Sequence, residues 1–257
     1  MTAAFLSNSA RLAARPLTCG GTPTHQWLNA RLDASPLDLS DCPEIVVAGA
    51  HPDDETLGFG ATASQLAAAG VRVQIVSASD GGAAYASQSV LQRYRLERTR
   101  RAELHRAARV LGVAAPICLG LPDGEIAGHE QRLADLLTEI LAAKPPGTWC
   151  AATWRGDGHP DHEAVGRAAA VAAGRTGAVL VEYPVWMWHW ARPGDSSVPW
   201  DRAFAVELGS DVTEAKRRAA AQFVTQTTAL SSDPADRRVL PPHVLERLLR
   251  PYEVVFA

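Results

Sequence analysis

The chain has 257 residues, 47% of them hydrophobic and 21% charged, with a net charge of −3. That length supports one substantial core in an ordinary globular composition. No basic block is present for tracking phosphates, which argues against a nucleic-acid partner, and no run approaches the roughly 20 apolar residues that span a membrane.

Before residue 33 there are three arginines, Arg11, Arg15 and Arg31, and no acid. A transit peptide has such a composition. Without an apolar secretory core, the expectation is an arm over residues 1–43 packed on a single domain at 44–257. Cys19, Cys42, Cys118 and Cys150 are far apart and form no Cys-x-x-Cys. They fit core filling in a reducing cytoplasm better than a zinc knuckle or redox pair.

The apolar run 45–50 reads as a first strand buried on both faces. A small-residue helix follows over 57–69 and stops at Gly70. Residues 71–76 alternate as a second strand, and Asp80-Gly81-Gly82 opens a loop. The Arg/Glu-rich segment 91–111 is a long helix ending at Gly112, with Arg95, Arg98, Arg100 and Arg101 read as its solvated face. A third strand at 116–119, a helix at 133–143, a fourth strand at 149–154, a helix at 163–173 and a fifth strand at 179–183 continue the alternation. That rhythm predicts an α/β, Rossmann-like, mostly parallel sheet flanked by helices, with the active site at its carboxyl edge. Further on, 203–208 and 252–256 read as strands, and Asp211 with Glu214 as a capping box for a helix running toward Thr228.

Two strands end in His-Pro-Asp: Ala50-His51-Pro52-Asp53-Asp54-Glu55 and Gly158-His159-Pro160-Asp161-His162-Glu163. Each alone is also an ordinary helix start, with Pro at N1 and acids in the first turn. Both at strand ends make a different object. His51 and Asp54, three residues apart, share a face, and His162 completes a His₂-carboxylate set with one open position, as catalytic zinc requires. Iron(II) or manganese suits the same donors. Asp53 is then free as general base, a protonated His159 as general acid or oxyanion partner, and Asp161 as the carboxylate orienting His159 or His162.

These paired motifs resemble the PIG-L/LmbE-type zinc-dependent N-deacetylases. Supporting similarities are Asp80-Gly81, Leu111-Gly112-Val113 and Leu121-Pro122-Asp123-Gly124. The resemblance implies the same roles: His51, Asp54 and His162 hold zinc, Asp53 is the base, and His159 and Asp161 assist. It also implies hydrolysis of an N-acetyl group on a small-molecule glucosamine conjugate. The chain departs from the pattern where some relatives have a Tyr two residues before the second motif's first His; here it is Asp157. Phe223 falls where many relatives have a late-helix His, with Gln226 following.

Substrate-facing candidates are Asp80, Asp157, Trp186 and Trp188. In an extended segment Trp186, Trp188 and Trp190 would line one face as a sugar-stacking wall, or pack in the core or against a neighbouring subunit in a homo-oligomer. Asp80 serves equally as a turn former. Rival readings are an amidase for a larger thiol conjugate or natural-product glycoside, and a non-catalytic sugar-binding protein on the same fold. A nucleotide-binding oxidoreductase is a poorer reading still, because His-Pro-Asp-Asp and not Gly-x-Gly-x-x-Gly follows the first strand.

Overall fold

A computed structural model describes residues 6–18, 20–30, 32, 34–85, 88–232 and 237–257; Cys19 and Arg31 lie outside the described residues. The strands are β1 (Ser35–Pro36), β2 (Glu44–Gly49), β3 (Arg72–Ser79), β4 (Ile117–Leu121), β5 (Trp149–Thr153), β6 (Val179–Tyr183), β7 (Ala203–Glu207) and β8 (Tyr252–Phe256). The helices that precede or join the first strands are α1 (Asn8–Ala13), α2 (Thr24–Asn29), α3 (Asp54–Ala68), α4 (Val90–Leu111) and α5 (Glu130–Ala142). After β5 come α6 (Pro160–Thr176), α7 (Met187–Trp190), α8 (Ser210–Ala220), α9 (Val224–Thr227) and α10 (Pro242–Leu248).

All eight strands form one sheet in the order β1-β7-β8-β6-β5-β2-β3-β4. The run from β4 to β6 is parallel, and β8 pairs antiparallel with β6 and β7. The expected mostly parallel α/β sheet is therefore present. Period-2 alternation feeds two cores, with Ile45 and Val47 on one face and Val46 and Ala48 on the other. From β2 the chain winds outward to β3 on one side, and β5 lies on the other. Their carboxyl ends therefore flank the topological switch point, where open α/β sheets leave a crevice.

The register pairs Ala48 with Ala152, so β2 and β5 end side by side, and both His-Pro-Asp segments emerge there. Gly158 crosses under α1 at φ 91°, and a Cβ on it would sit 2.9 Å from the Asn8 carbonyl and from Trp190 Nε1. Only glycine fits that approach.

Two local expectations fail. The helix predicted toward Thr228 stops at Ala220, because Phe223 leaves helical geometry to enter the core fully buried. Its N-cap is Gly209, without a side-chain cap, so the Asp211–Glu214 box does not form. The tryptophan segment is not extended. The Asp157 carboxylate collects the N–H groups of Val185, Trp186 and Met187, each at 2.9 Å, and curls the chain into α7. Trp188 is thereby turned into the core, edge-on to Trp27 and under the Arg250 guanidinium.

Candidate metal and active site

Asp54 begins α3, and its Oδ2 accepts the N–H groups of Ala50 at 3.1 Å and His51 at 2.8 Å. That tight loop folds His51 back over Asp54, with Nδ1 3.3 Å from the same oxygen. From the neighbouring strand end, α6 presents His162 with Nε2 3.2 Å from Asp54 Oδ1. Ligand atoms of His51, Asp54 and His162 all lie within 4.8 Å of one another. His162 Nδ1 donates to Asp157 Oδ2 at 2.8 Å, which leaves Nε2 as the atom turned to Asp54. This Nε2 is buried and lacks a hydrogen-bond partner, as a nitrogen built to bind a cation would be. The donor set fits a divalent metal on those grounds.

The electrostatics agree. Burial opposes charging both imidazoles, yet Asp123, Asp161 and Asp54 hold His51 well above its usual value, and Asp54 and Asp157 raise His162 to about 9. Burial would lift Asp54 as well, but His162 and His51 keep it well below the carboxylate range. A cluster this rich in buried carboxylate draws in positive charge, here as protons.

Asp53 caps α3 at φ 134°, the one non-glycine positive φ among the described residues. That backbone is strained, and Asp53 lines the cavity. Arg100 Nη2 reaches Asp53 Oδ2 at 3.3 Å and the Pro52 carbonyl at 3.0 Å, while Nη1 donates to the Gly81 carbonyl at 2.8 Å. Burial pushes the Asp53 carboxyl up to about 8 against the pull of that guanidinium.

Several assignments change. Arg100 is 3% exposed, not part of a solvated face. It shares the buried stripe of Leu96, Glu103, Ala107 and Leu111, a helical spacing that was visible in the sequence. Asp123 was read only as a supporting similarity, yet its Oδ1 lies 2.9 Å from His51 Nε2. An acid at the carboxyl end of β4 was its signal. Asp161 does not stand behind His159 or His162. Its carboxylate accepts Gly124 N and Ile126 N, pinning that loop to α6, with Oδ2 3.3 Å from His51 Nε2. His159 is neutral rather than protonated: burial and the adjacent imidazoles lower it to about 3. Its Nδ1 accepts the Asp161 N–H at 3.3 Å, so its ring proton sits on Nε2.

A cavity of about 460 Å³ opens above this floor, lined by His51, Asp53, Asp123 and His159. Of the four substrate-facing candidates only Trp186 lines it. Asp157 is wholly buried behind His162, Trp188 is core, and Asp80 sits beside Arg101 at 3.5 Å. Gln226 lines the cavity as well.

Residues 46–173 match the family model PIG-L, described as GlcNAc-PI de-N-acetylase. The 1D-myo-inositol 2-acetamido-2-deoxy-alpha-D-glucopyranoside deacetylase of Mycobacterium leprae is 33% identical over 179 residues, covering 58% of this chain and 58% of that protein. The chain thus spans less than two thirds of the curated relative's length. Among solved structures, the conserved protein TT1542 from Thermus thermophilus is 26% identical, with a TM-score of 0.54 over 72% of this chain and 80% of that one. The N,N'-diacetylchitobiose deacetylase from Pyrococcus horikoshii is similar in fold: 22% identity, TM-score 0.55, and 72% and 70% coverage.

Proposed function

The chain belongs to the PIG-L family through residues 46–173, and from that premise we propose that it is a metal-dependent hydrolase removing an N-acetyl group from a glucosamine-type conjugate. The observation carrying this reading is the convergence of His51, Asp54 and His162 at a cavity lined by His51, Asp54 and a separate, Arg100-held Asp53. A non-catalytic sugar binder needs no strained carboxylate held apart from the donor set.

His51, Asp54 and His162 would hold the metal, zinc by the donor set and the family. A bound dication supplies Lewis acidity, easing deprotonation of water and polarising an amide carbonyl. Asp53 takes the proton of the attacking water, its elevated pKa suiting a base near neutral pH. The neutral His159 turns its Nε2–H toward the carbonyl oxygen as charge collects there. Attack forms the new C–O bond, the C–N bond breaks as the tetrahedral adduct collapses, and the proton held by Asp53 passes to the departing amine. Acetate and a free amino sugar result. Asp157 fixes the His162 tautomer from behind, and Arg100 fixes the position of Asp53.

The reading places the enzyme in the cytoplasm, supported by Cys42, Cys118 and Cys150 being free thiols. No helix among the described residues is long and apolar enough to cross a membrane. Acetate release from N-acetylglucosamine conjugates, measured with metal content, tests the proposal. One metal per chain with release supports it; metal-free protein, or loaded protein without release, overturns it.

A further inference from the structure

The cavity has two unlike halves. Its floor is the charged cluster at the ends of β2 and β5, all within residues 46–173. The outer wall comes from outside that region: Leu12 and Leu17 from the N-terminal arm, Val185 and Trp186 before α7, and Val239 and Leu240 before α10. Arg15 joins the wall as its one charged residue, its guanidinium 3.5 Å from Thr22 Oγ1.

The arm is fixed there by specific bonds. Asn8 Nδ2 donates to the Gly156 carbonyl at 2.8 Å, and Arg11 pairs with Asp195 and stacks over Trp190, 4.5 Å from the ring centre. His189 Nε2 donates to the Arg15 carbonyl at 2.9 Å, and His243 Nε2 to the Leu17 carbonyl at 3.0 Å. Burial and nearby cations lower His189 to about 4, so it is neutral and accepts from Arg247 at Nδ1.

Resting on the deacetylase reading, we infer that this wall is a specificity subsite for an apolar group of several carbons attached to the amino sugar. The sugar amide belongs on the charged floor, where hydroxyl groups find carboxylate and imidazole partners. A cavity of about 460 Å³ is of the size that takes drug-sized ligands, and on its outer wall six apolar side chains stand against the one guanidinium of Arg15, a lining that suits an apolar group better than a second sugar. The apolar group is carried either at the anomeric oxygen or as a longer N-acyl chain.

The test uses the zinc-supplemented full chain and two ligand series. One runs from methyl to hexyl N-acetyl-β-glucosaminide, the other from N-acetyl to N-hexanoyl on the methyl glycoside. Affinity is read on the Asp53→Asn protein and hydrolysis on wild type. The expected result is binding at least about tenfold tighter at the long end of one series, which identifies the attachment point. Leu12→Asn and Leu17→Asn should each shrink that gain. Flat affinity in both series overturns the subsite, and hydrolysis of the methyl glycoside in the same experiment leaves the deacetylase reading standing. Gain with chain length but no hydrolysis anywhere keeps the subsite and removes that reading. A gain untouched by either arm variant overturns the arm's part in it.

Discussion

Arg100 Nη2 lies 3.3 Å from Asp53 Oδ2, and the same nitrogen donates to the carbonyl of Pro52, one residue earlier in the chain. The guanidinium therefore grips both the side chain and the strained backbone of the proposed base. Replacing Arg100 with Gln should lower kcat/KM about 10- to 100-fold. Losing a cation raises the carboxyl's pKa, so the acidic limb of the pH profile should move to higher pH. Arg100→Lys should restore part of both. An unmoved limb would show that Arg100 only supports the fold.

Asp53→Asn should retain metal while turnover falls by about 10²–10⁴, the span of a lost general base; metal analysis beside acetate assay checks this. The backbone yields a second expectation. At φ 134° a side chain is strained, so Asp53→Gly should be more stable than Asp53→Ala by about 1 kcal/mol or more in urea unfolding.

Metal and protons compete for the same two rings. His162 is raised to about 9 without metal, and Asp123, Asp161 and Asp54 raise His51 above its usual value. Metal binding should release at least about one proton, from His162, readable by calorimetry in buffers of different ionisation enthalpy, and affinity should climb about tenfold or more per pH unit near neutrality. Stability of the metal-free chain moves the other way. A raised folded-state histidine pKa stabilises fully below the ordinary 6.5 and loses that benefit as pH rises toward about 9. Melting temperature in chelator should therefore fall across that window.

Away from the site, Lys216 and Glu253 form a buried ion pair at 2.7 Å, each 2% exposed. Glu253 also accepts from Ala61 N and from both N and Oγ1 of Thr62, tying β8 to α3. Lys216→Met should destabilise by about 3–5 kcal/mol, since it strands a buried carboxylate. Lys216→Met combined with Glu253→Gln should recover part of that loss, and denaturant unfolding of the three variants decides it. A double variant no better than the single would mean that packing, not charge, sets the cost.

The strand and helix alternation was legible because each rests on local periodicity, and β5 and β6 begin where the apolar pattern puts them. The donor trio was legible for a related reason. A His-Pro-Asp after a strand carries its own geometry, and parallel strands deliver their ends to one edge. The alternation of Trp186, Trp188 and Trp190 misled because three N–H groups far from Asp157 in sequence converge on its carboxylate. Nothing local to residues 185–190 encodes that capture.

By itself the sequence determined the parallel strands β2 to β6, their carboxyl edge and the residues able to hold a metal, all consequences of interactions within a few residues or of strand order. Tertiary structure alone decided that Arg100 grips Asp53, that Asp161 bonds a loop and His51 rather than His159 or His162, and that the N-terminal arm walls the cavity. Those contacts join residues 35 to 226 positions apart. Such pairings depend on which donors remain unsatisfied once the chain has packed, a property of the folded whole.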